Sequence, residues 1–309
     1  MKILGIGNAI VDVICKVGES FIEQNNLTKG TMKLIFDDKE FKTMLSNLKI
    51  EKTISGGSVA NSIVGLSQLG NKVGFIGKVS DDELGSKYED GLKSESVEYF
   101  YFKKKEELPT GTCLILVTPD SERTMCTFLG TAGKINENDV NIEVVKKSEM
   151  IFLEGYLWDE GEPKKAFEKA IKNANKVAMS LSDQFCVDRH KQHFLDLVKH
   201  KLDITFANEQ EISSLIDAKN FSDVIDFGKN LKKLLVITRG DKGAISILNN
   251  EITENNIEKN LNIKDLTGAG DLFAAGFLHG YLNNLTQIEC LNKGREMSSK
   301  VIQQIGARL

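Results

Sequence analysis

Apolar and polar residues follow one another along this chain in short blocks that read, almost throughout, as a strand followed by a helix. Ile3–Ile6 is an apolar run of strand length, and Val11–Val17 is a second strand after a short turn. Val59–Leu69 carries apolar residues at 59, 60, 63, 66 and 69, the spacing of one helix face, and Gly70 is well placed to end that helix. Val73–Val79 reads as the next strand. Ser80, Asp81, Asp82 and Glu83 then cap a helix on which Leu84, Tyr88 and Leu92 lie one turn apart. Short apolar strands at Met150–Leu153, Lys176–Leu181, Ile204–Ala207 and Leu234–Thr238 are each separated by a helical length. The alternation predicts an α/β fold, with a mainly parallel sheet covered by helices on both faces.

One region breaks the rhythm. Thr112–Thr118 and Arg123–Phe128, joined by Pro119-Asp120-Ser121-Glu122, predict an antiparallel hairpin. With strands near 11–17 and 32–36 it makes a small separate sheet, either a lid over a reaction site or a plain edge hairpin.

At 309 residues the chain is long enough for a large core, and 41% hydrophobic with 27% charged residues is ordinary for a globular protein. The net charge is −4, and Lys103-Lys104-Lys105 runs straight into Glu106-Glu107, so no nucleic-acid surface is expected. Five scattered cysteines (15, 113, 126, 186, 290), with no Cys-x-x-Cys pair, suggest reduced thiols and a cytoplasmic protein. Asp12 interrupts the apolar opening, which argues against a secretion signal, and no run approaches membrane-spanning length.

The chemistry concentrates at Asp265-Leu266-Thr267-Gly268-Ala269-Gly270-Asp271, which leads into the apolar, Ala-rich stretch Leu272–His279. A glycine turn entering a buried helix leaves the first helix amides without partners, and with the helix dipole they make an anion site. Asp271 adds a carboxylate in the first turn, where it would repel an anion that was merely bound. The placement suits a base that takes a proton from a hydroxyl attacking a phosphoryl group held by those amides. Taken alone, the segment reads more simply as an acidic residue that suits the dipole. Three further segments change the balance.

Ser55-Gly56-Gly57-Ser58-Val59-Ala60-Asn61 enters a helix whose first turn offers an amide suited to sugar hydroxyls, or is a tight turn without a ligand. Thr238-Arg239-Gly240-Asp241-Lys242-Gly243 follows a strand, where open α/β sheets bind ligands; it takes nucleotide phosphates or simply turns the chain. Asn208-Glu209-Gln210-Glu211 also follows a strand, and either holds magnesium through waters or caps the next helix. Other patterns fall short. Gly5-Ile6-Gly7 lacks the third glycine of a dinucleotide fingerprint, which leaves an NAD-dependent oxidoreductase with little support. Asn71 stands where a phosphate-binding loop needs lysine. His190, His193 and Asp188 read as solvated surface rather than a metal cluster.

Together these segments resemble the PfkB, or ribokinase-like, family of sugar and nucleoside kinases. Gly56-Gly57 with Asn61, continuing to Gly85, resembles its first signature, and Asp265 to Gly276 its second. The similarity runs from the Gly7-Asn8 opening to Gly306-Ala307. It implies a three-layer α/β/α ribokinase-like core spanning residues 1–309, with lid segments at about 11–36 and 97–130. It implies Asp271 as general base and the amides of Gly268, Ala269 and Gly270 as the anion hole. Asn8, Asp12, Gly56, Gly57, Asn61 and Arg123 would hold the phosphate acceptor. Asn208, Thr238, Gly240 and Gly243 would hold ATP, with Glu211 reaching magnesium through water.

Gly7–Asp12 and Arg123–Gly130 resemble the adenosine-kinase branch more than ribokinase proper. The expected acceptor is therefore a nucleoside such as adenosine, then a free sugar such as ribose, fructose or 2-keto-3-deoxygluconate. A non-catalytic sensor is the remaining reading, and the intact base and anion hole argue against it. Met32, Leu34, Phe36, Phe100, Phe102, Met125 and Phe128 either stack on a purine or fill the lid's own core. The lid suits a monomer or a lid-mediated homodimer.

Overall fold

Short Ile-, Val- and Leu-rich runs become strands buried on both sides, because only a sheet covered by helices on each face hides every side chain of such a run. The computed structural model describes residues 1–120, 122–158 and 161–309, so Ser121 of the expected turn lies outside the described residues. In chain order the strands are β1 (Ile3–Ile6), β2 (Ile10–Lys16), β3 (Met32–Leu34), β4 (Ile50–Ser55), β5 (Val73–Ile76), β6 (Glu98–Tyr99) and β7 (Gly111–Val117). They continue as β8 (Arg123–Phe128), β9 (Met150–Glu154), β10 (Val177–Ser180), β11 (Ile204–Asn208), β12 (Leu234–Thr238), β13 (Ala244–Leu248) and β14 (Glu251–Asn255).

Nine strands make the main sheet, in the order β14-β13-β12-β11-β10-β9-β1-β5-β6. From β12 to β6 every pairing is parallel, and β1 sits centrally, with Ile3 opposite Met150 on one side and Val73 on the other. β13 and β14 add an antiparallel edge that the strand-helix rhythm does not predict. Alternate residues feed two cores. Ile3, Phe75, Phe152 and Phe206 face the helices Ser58–Gln68 and Ala269–Leu282, whereas Leu4, Ile76, Leu153 and Ile237 face the opposite helical layer.

The smaller sheet runs β3-β8-β7-β2-β4. The expected hairpin is present as β7 and β8, with Val117 opposite Arg123. Two details differ from the expected lid segments. β4 belongs to the lid although Ile50–Ser55 is mostly polar and has no strand-like alternation. β6 pairs with β5 at the edge of the main sheet, although it falls within the stretch assigned to the lid. The lid's outer face is closed by the helix Asp38–Ser46, from which Phe41 stacks on Phe128 at 5.1 Å between ring centroids. An aromatic pair of this kind is worth about 1 kcal/mol beyond its buried area.

Candidate active site

Main-sheet strands end toward one edge, and the site forms there, as expected for an open parallel sheet. Asp271 lies in the first turn of the helix Ala269–Leu282, whose N-cap is Gly268 at φ 78°, a left-handed conformation that favours glycine. This helix packs closely on Ser58–Gln68: a Cβ on Gly65 would fall 2.7 Å from Leu272 Cδ1. The close approach seats Asp271 over the start of the neighbouring helix. Ser58 Oγ donates to Asp271 Oδ1 at 2.7 Å, Asn61 Nδ2 donates to Oδ2 at 3.0 Å, and Ser62 Oγ donates to the Asp271 carbonyl at 2.8 Å. Burial raises the Asp271 carboxyl above its ordinary value, opposed by the bonds from Ser58 and Asn61 and by the charge of Arg308. Beside it, the backbone at Gly270 faces open space, since a Cβ there would meet nothing within 4 Å. The helix start therefore has room for an anion.

A second carboxylate faces the first. Asp12 on β2 lies against Gly56, where a Cβ would come within 2.5 Å of its Oδ2. No described group donates a hydrogen bond to this carboxylate. Burial pushes its pKa up to about 7, Arg308 opposes the shift, and Asp271 adds to it. A half-buried carboxylate without protein donors is equipped to accept hydroxyl hydrogens from a ligand.

Glu154, at the end of β9, organises the floor. Its Oε1 accepts from Asn8 N at 2.9 Å and Asn8 Nδ2 at 2.8 Å, and its Oε2 accepts from Val59 N at 2.9 Å. It thereby serves one of the orphan amides of the helix Ser58–Gln68, whose N-cap Gly57 (φ 97°) has no side chain to do so. Burial lifts the Glu154 carboxyl to about 7 despite these donors. Asn8 Oδ1 is left buried without a partner.

On the other side of the Ala269 helix lies a cavity of about 220 Å³. Thr238, Gly240, Gly243, Ala269 and Gly270 line it together, so the strand-end loop and the glycine turn before Asp271 share one space. Phe273 and Ile257 give it an apolar wall, and Ser298 and Arg295 give it polar groups. Asn208 sits next to Thr238 in the β11–β12 register. Its amide caps the following helix: Oδ1 accepts from Glu211 N, while Glu211 accepts from Asn208 N at 2.9 Å and from Nδ2 at 2.6 Å. Both Glu211 oxygens are thus engaged in a capping box, and burial lifts its carboxyl to about 7. Among the described residues no three acidic, His or Cys side chains group as a metal site.

Arg123, expected at the acceptor, donates from Nη1 to Asp265 Oδ2 at 2.6 Å and so ties the lid to the turn before Gly268. The lid's inner face carries Asp12 in a row with Cys113 and Thr127, followed by the row Ile14, Ile115 and Met125. Directly opposed residues share a face, so an aliphatic surface of Ile10, Ile14, Ile115, Met125 and Leu129 flanks Asp12. The seven residues weighed above for a purine surface divide between cores and surface. Phe128 is buried against Phe41, Phe100 packs with the main sheet's far core, and Phe36 and Phe102 point to solvent. Of those seven residues, Met125 lies on the aliphatic surface beside Asp12, and the β3–β8 register sets Met32 next to Met125 and Leu34 next to Thr127 on the same face.

Sequence reasoning missed Glu154 and Arg308. Glu154 carried the signal that singled out Asn208, a polar residue at the carboxyl end of an apolar strand. Arg308, whose Nε donates to Asn61 Oδ1 at 3.0 Å, stands in no local pattern.

Residues 14–309 match the pfkB family carbohydrate kinase model. The chain belongs to that family. It is a phosphotransferase with an alcohol group as acceptor, and membership of a kinase family implies use of ATP. It is similar to the crystal structure of adenosine kinase from Sinorhizobium meliloti, at 36% identity and TM-score 0.89, covering 100% of this chain and 95% of that one. A probable sugar kinase from Rhizobium etli CFN 42 is also 36% identical, with TM-score 0.90 over 99% and 94% of the two chains. The adenosine kinase of Dictyostelium discoideum is 27% identical over 99% of this chain and 96% of its own. No described helix is long and apolar enough to cross a membrane.

Proposed function

We propose that this protein is an ATP-dependent nucleoside kinase that phosphorylates a primary hydroxyl, with adenosine or a close analogue as acceptor. The observation that carries the reading is the lid's inner face, where an aliphatic surface flanks the unbonded carboxylate of Asp12. Asp12 and Asn8 Oδ1 accept from sugar hydroxyls, and Ile14, Ile115 and Met125 cover a base. A free sugar leaves that surface without a partner. Resemblance to adenosine kinases across the whole chain supports the same choice.

Asp271 orients the acceptor hydroxyl and takes its proton at Oδ1 or Oδ2. The amides at Gly268 and Gly270 hold the oxygens of the group in transfer, at the positive end of their helix, while Ala269 N between them donates to Leu266 O at 3.2 Å. Thr238, Gly240 and Gly243 hold the nucleotide phosphates on the far side of the shared cavity. Bound ATP would supply the phosphoryl group, and magnesium would neutralise its oxygens. Glu211, both of whose oxygens accept from Asn208, would reach that ion through water. Asp271 need be only a modest base, because positioning does most of the work in a loose transition state. We also place the protein in the cytoplasm, which its five free cysteines support.

An ADP-release assay with ATP and magnesium against adenosine, inosine, ribose, fructose and 2-keto-3-deoxygluconate tests the reading. Turnover concentrated on adenosine is expected. Preference for a free sugar would keep the phosphotransferase chemistry and remove the base-binding role of the aliphatic face.

A further inference from the structure

The chain beyond the helix Gln287–Val301 turns back over the anion-hole turn and carries a cation to the site. Lys264 N donates to Ile302 O at 2.8 Å, and Gly306 N donates to Asp265 Oδ2 at 2.8 Å. Ala307 then packs against Gly268 so closely that a Cβ there would fall 2.7 Å from Ala307 Cα. This strap fixes the backbone at Arg308, whose side chain turns inward. Its Nε donates to Asn61 Oδ1 at 3.0 Å, and its Nη2 is buried with no hydrogen-bond partner.

An amide side chain has one accepting and one donating end, and its neighbours decide which way round it sits. Guanidinium only donates, so the oxygen of Asn61 must face Arg308. The amide nitrogen of Asn61 is thereby turned to Asp271 Oδ2, at 3.0 Å. We propose that Arg308 is a positioning residue for phosphoryl transfer: through Asn61 it fixes the orientation of Asp271, and it brings a buried cation to the facing Asp12–Asp271 pair. The inference rests on Asp271 serving as the base. Its second support is electrostatic. Arg308 lowers the carboxyls of both Asp12 and Asp271 against burial. The other titratable groups facing this cluster are Arg123 on β8, Cys113 on β7, Tyr88 on the helix Glu83–Ser94 with Glu95 just after it, Glu154 at the end of β9 and Tyr156 just beyond it.

The test compares Arg308→Gln and Arg308→Lys with the wild-type enzyme. kcat and both KM values are followed from about pH 5.5 to about pH 8.5, with melting temperatures alongside. Arg308→Gln is expected to lower kcat roughly tenfold or more, leave KM for ATP within about twofold, and move the acid limb up by about half a pH unit or more. Arg308→Lys keeps the charge but not the Nε donor, so the acid limb stays in place while kcat falls about threefold or more. An acid limb unmoved in Arg308→Gln overturns the proposal, even where kcat and melting temperature fall together, because that pattern describes a structural clasp. Should Arg308→Gln fail to fold, wild-type kcat in Arg308→Lys overturns it instead. The acceptor is whichever alcohol the wild type turns over. Lack of any wild-type turnover counts against the kinase reading, and only the ratio of variant to wild type bears on Arg308.

Discussion

Arg123 on the lid strand β8 donates to Asp265 at 2.6 Å, and the same Asp265 oxygen accepts from Gly306 N. Thr267 N and Oγ1 hold the other oxygen at 3.1 and 2.7 Å. Burial alone would raise the Asp265 carboxyl, but the donors from Gly306, Thr267 and Arg123 outweigh it and leave it below the usual carboxylate range. One carboxylate thus joins the lid, the anion-hole turn and the strap. Arg123 and Asp265 side chains are only 17% and 7% exposed, so their pairing is stronger than a solvated surface bridge. Arg123→Ala should raise KM for the acceptor roughly tenfold and lower kcat less, because the lid loses its tie before the chemistry loses its base. Steady-state kinetics decide, and an unchanged acceptor KM would deny the tie any part in closing the site.

Asp271→Asn keeps the bonds to Ser58 and Asn61 within reach but cannot take a proton. kcat should fall by about three orders of magnitude, while the dissociation constant for ATP stays within about twofold. Calorimetric titration with ATP beside a turnover assay separates the two effects. Retention of most activity would remove Asp271 from the base role.

Asp12 sets a pH dependence. With its pKa pushed up to about 7, it is protonated at mildly acid pH and accepts hydroxyl hydrogens well only above that value. kcat/KM for the acceptor should therefore climb as pH rises through about 7 and then level off, and Asp12→Asn should flatten the climb. Stability of the unliganded protein runs the other way. A carboxyl whose folded pKa is raised contributes stability that is complete below its unfolded pKa of about 4 and is lost as pH rises through about 7. Between those values the melting temperature of the wild type should fall more than that of Asp12→Asn.

Glu154→Gln places an amide where three N–H donors converge. At least one of Asn8 N, Asn8 Nδ2 and Val59 N then faces another donor inside the core. The expected loss is roughly 1–3 kcal/mol for each donor left unpaired. Chemical denaturation measures it, and acceptor KM should rise because Asn8 loses its anchor. A variant as stable as the wild type would mean that Glu154 is replaceable in the floor of the site.

Much of this was legible in the chain. The central strands declared themselves because buried parallel strands must be apolar on both faces, and the turn into Asp271 because a glycine-entered apolar helix is unusual. β4 was not legible: Ile50-Glu51-Lys52-Thr53 is exposed or half-buried, and its strand form comes from pairing with β2. Asn208 and Glu211 show why a motif alone leaves roles open, since the same spacing serves a helix cap and a ligand site. Arg308 was invisible because its place is set by the strap's contacts with Asp265 and Gly268, far apart in sequence. The roles of the lid's apolar residues were not legible for a different reason. Alternation shows that a strand has two faces, but not which of them meets the ligand.

The Phe41–Phe128 stack belongs to a core that runs on without a break to Ile3 and Phe75 of the main sheet, and is separate from the aliphatic face the lid turns toward the site. Its strands join the main sheet through Gly7, Gly56-Gly57 and Gly130, each fitted so closely that a Cβ would fall within 2.5 Å of a neighbouring atom. Lid and main sheet are thus held by one continuous core and closely fitted joints, so amide hydrogens in β2 and β7 should exchange together with those of β1 and β5 and not ahead of them.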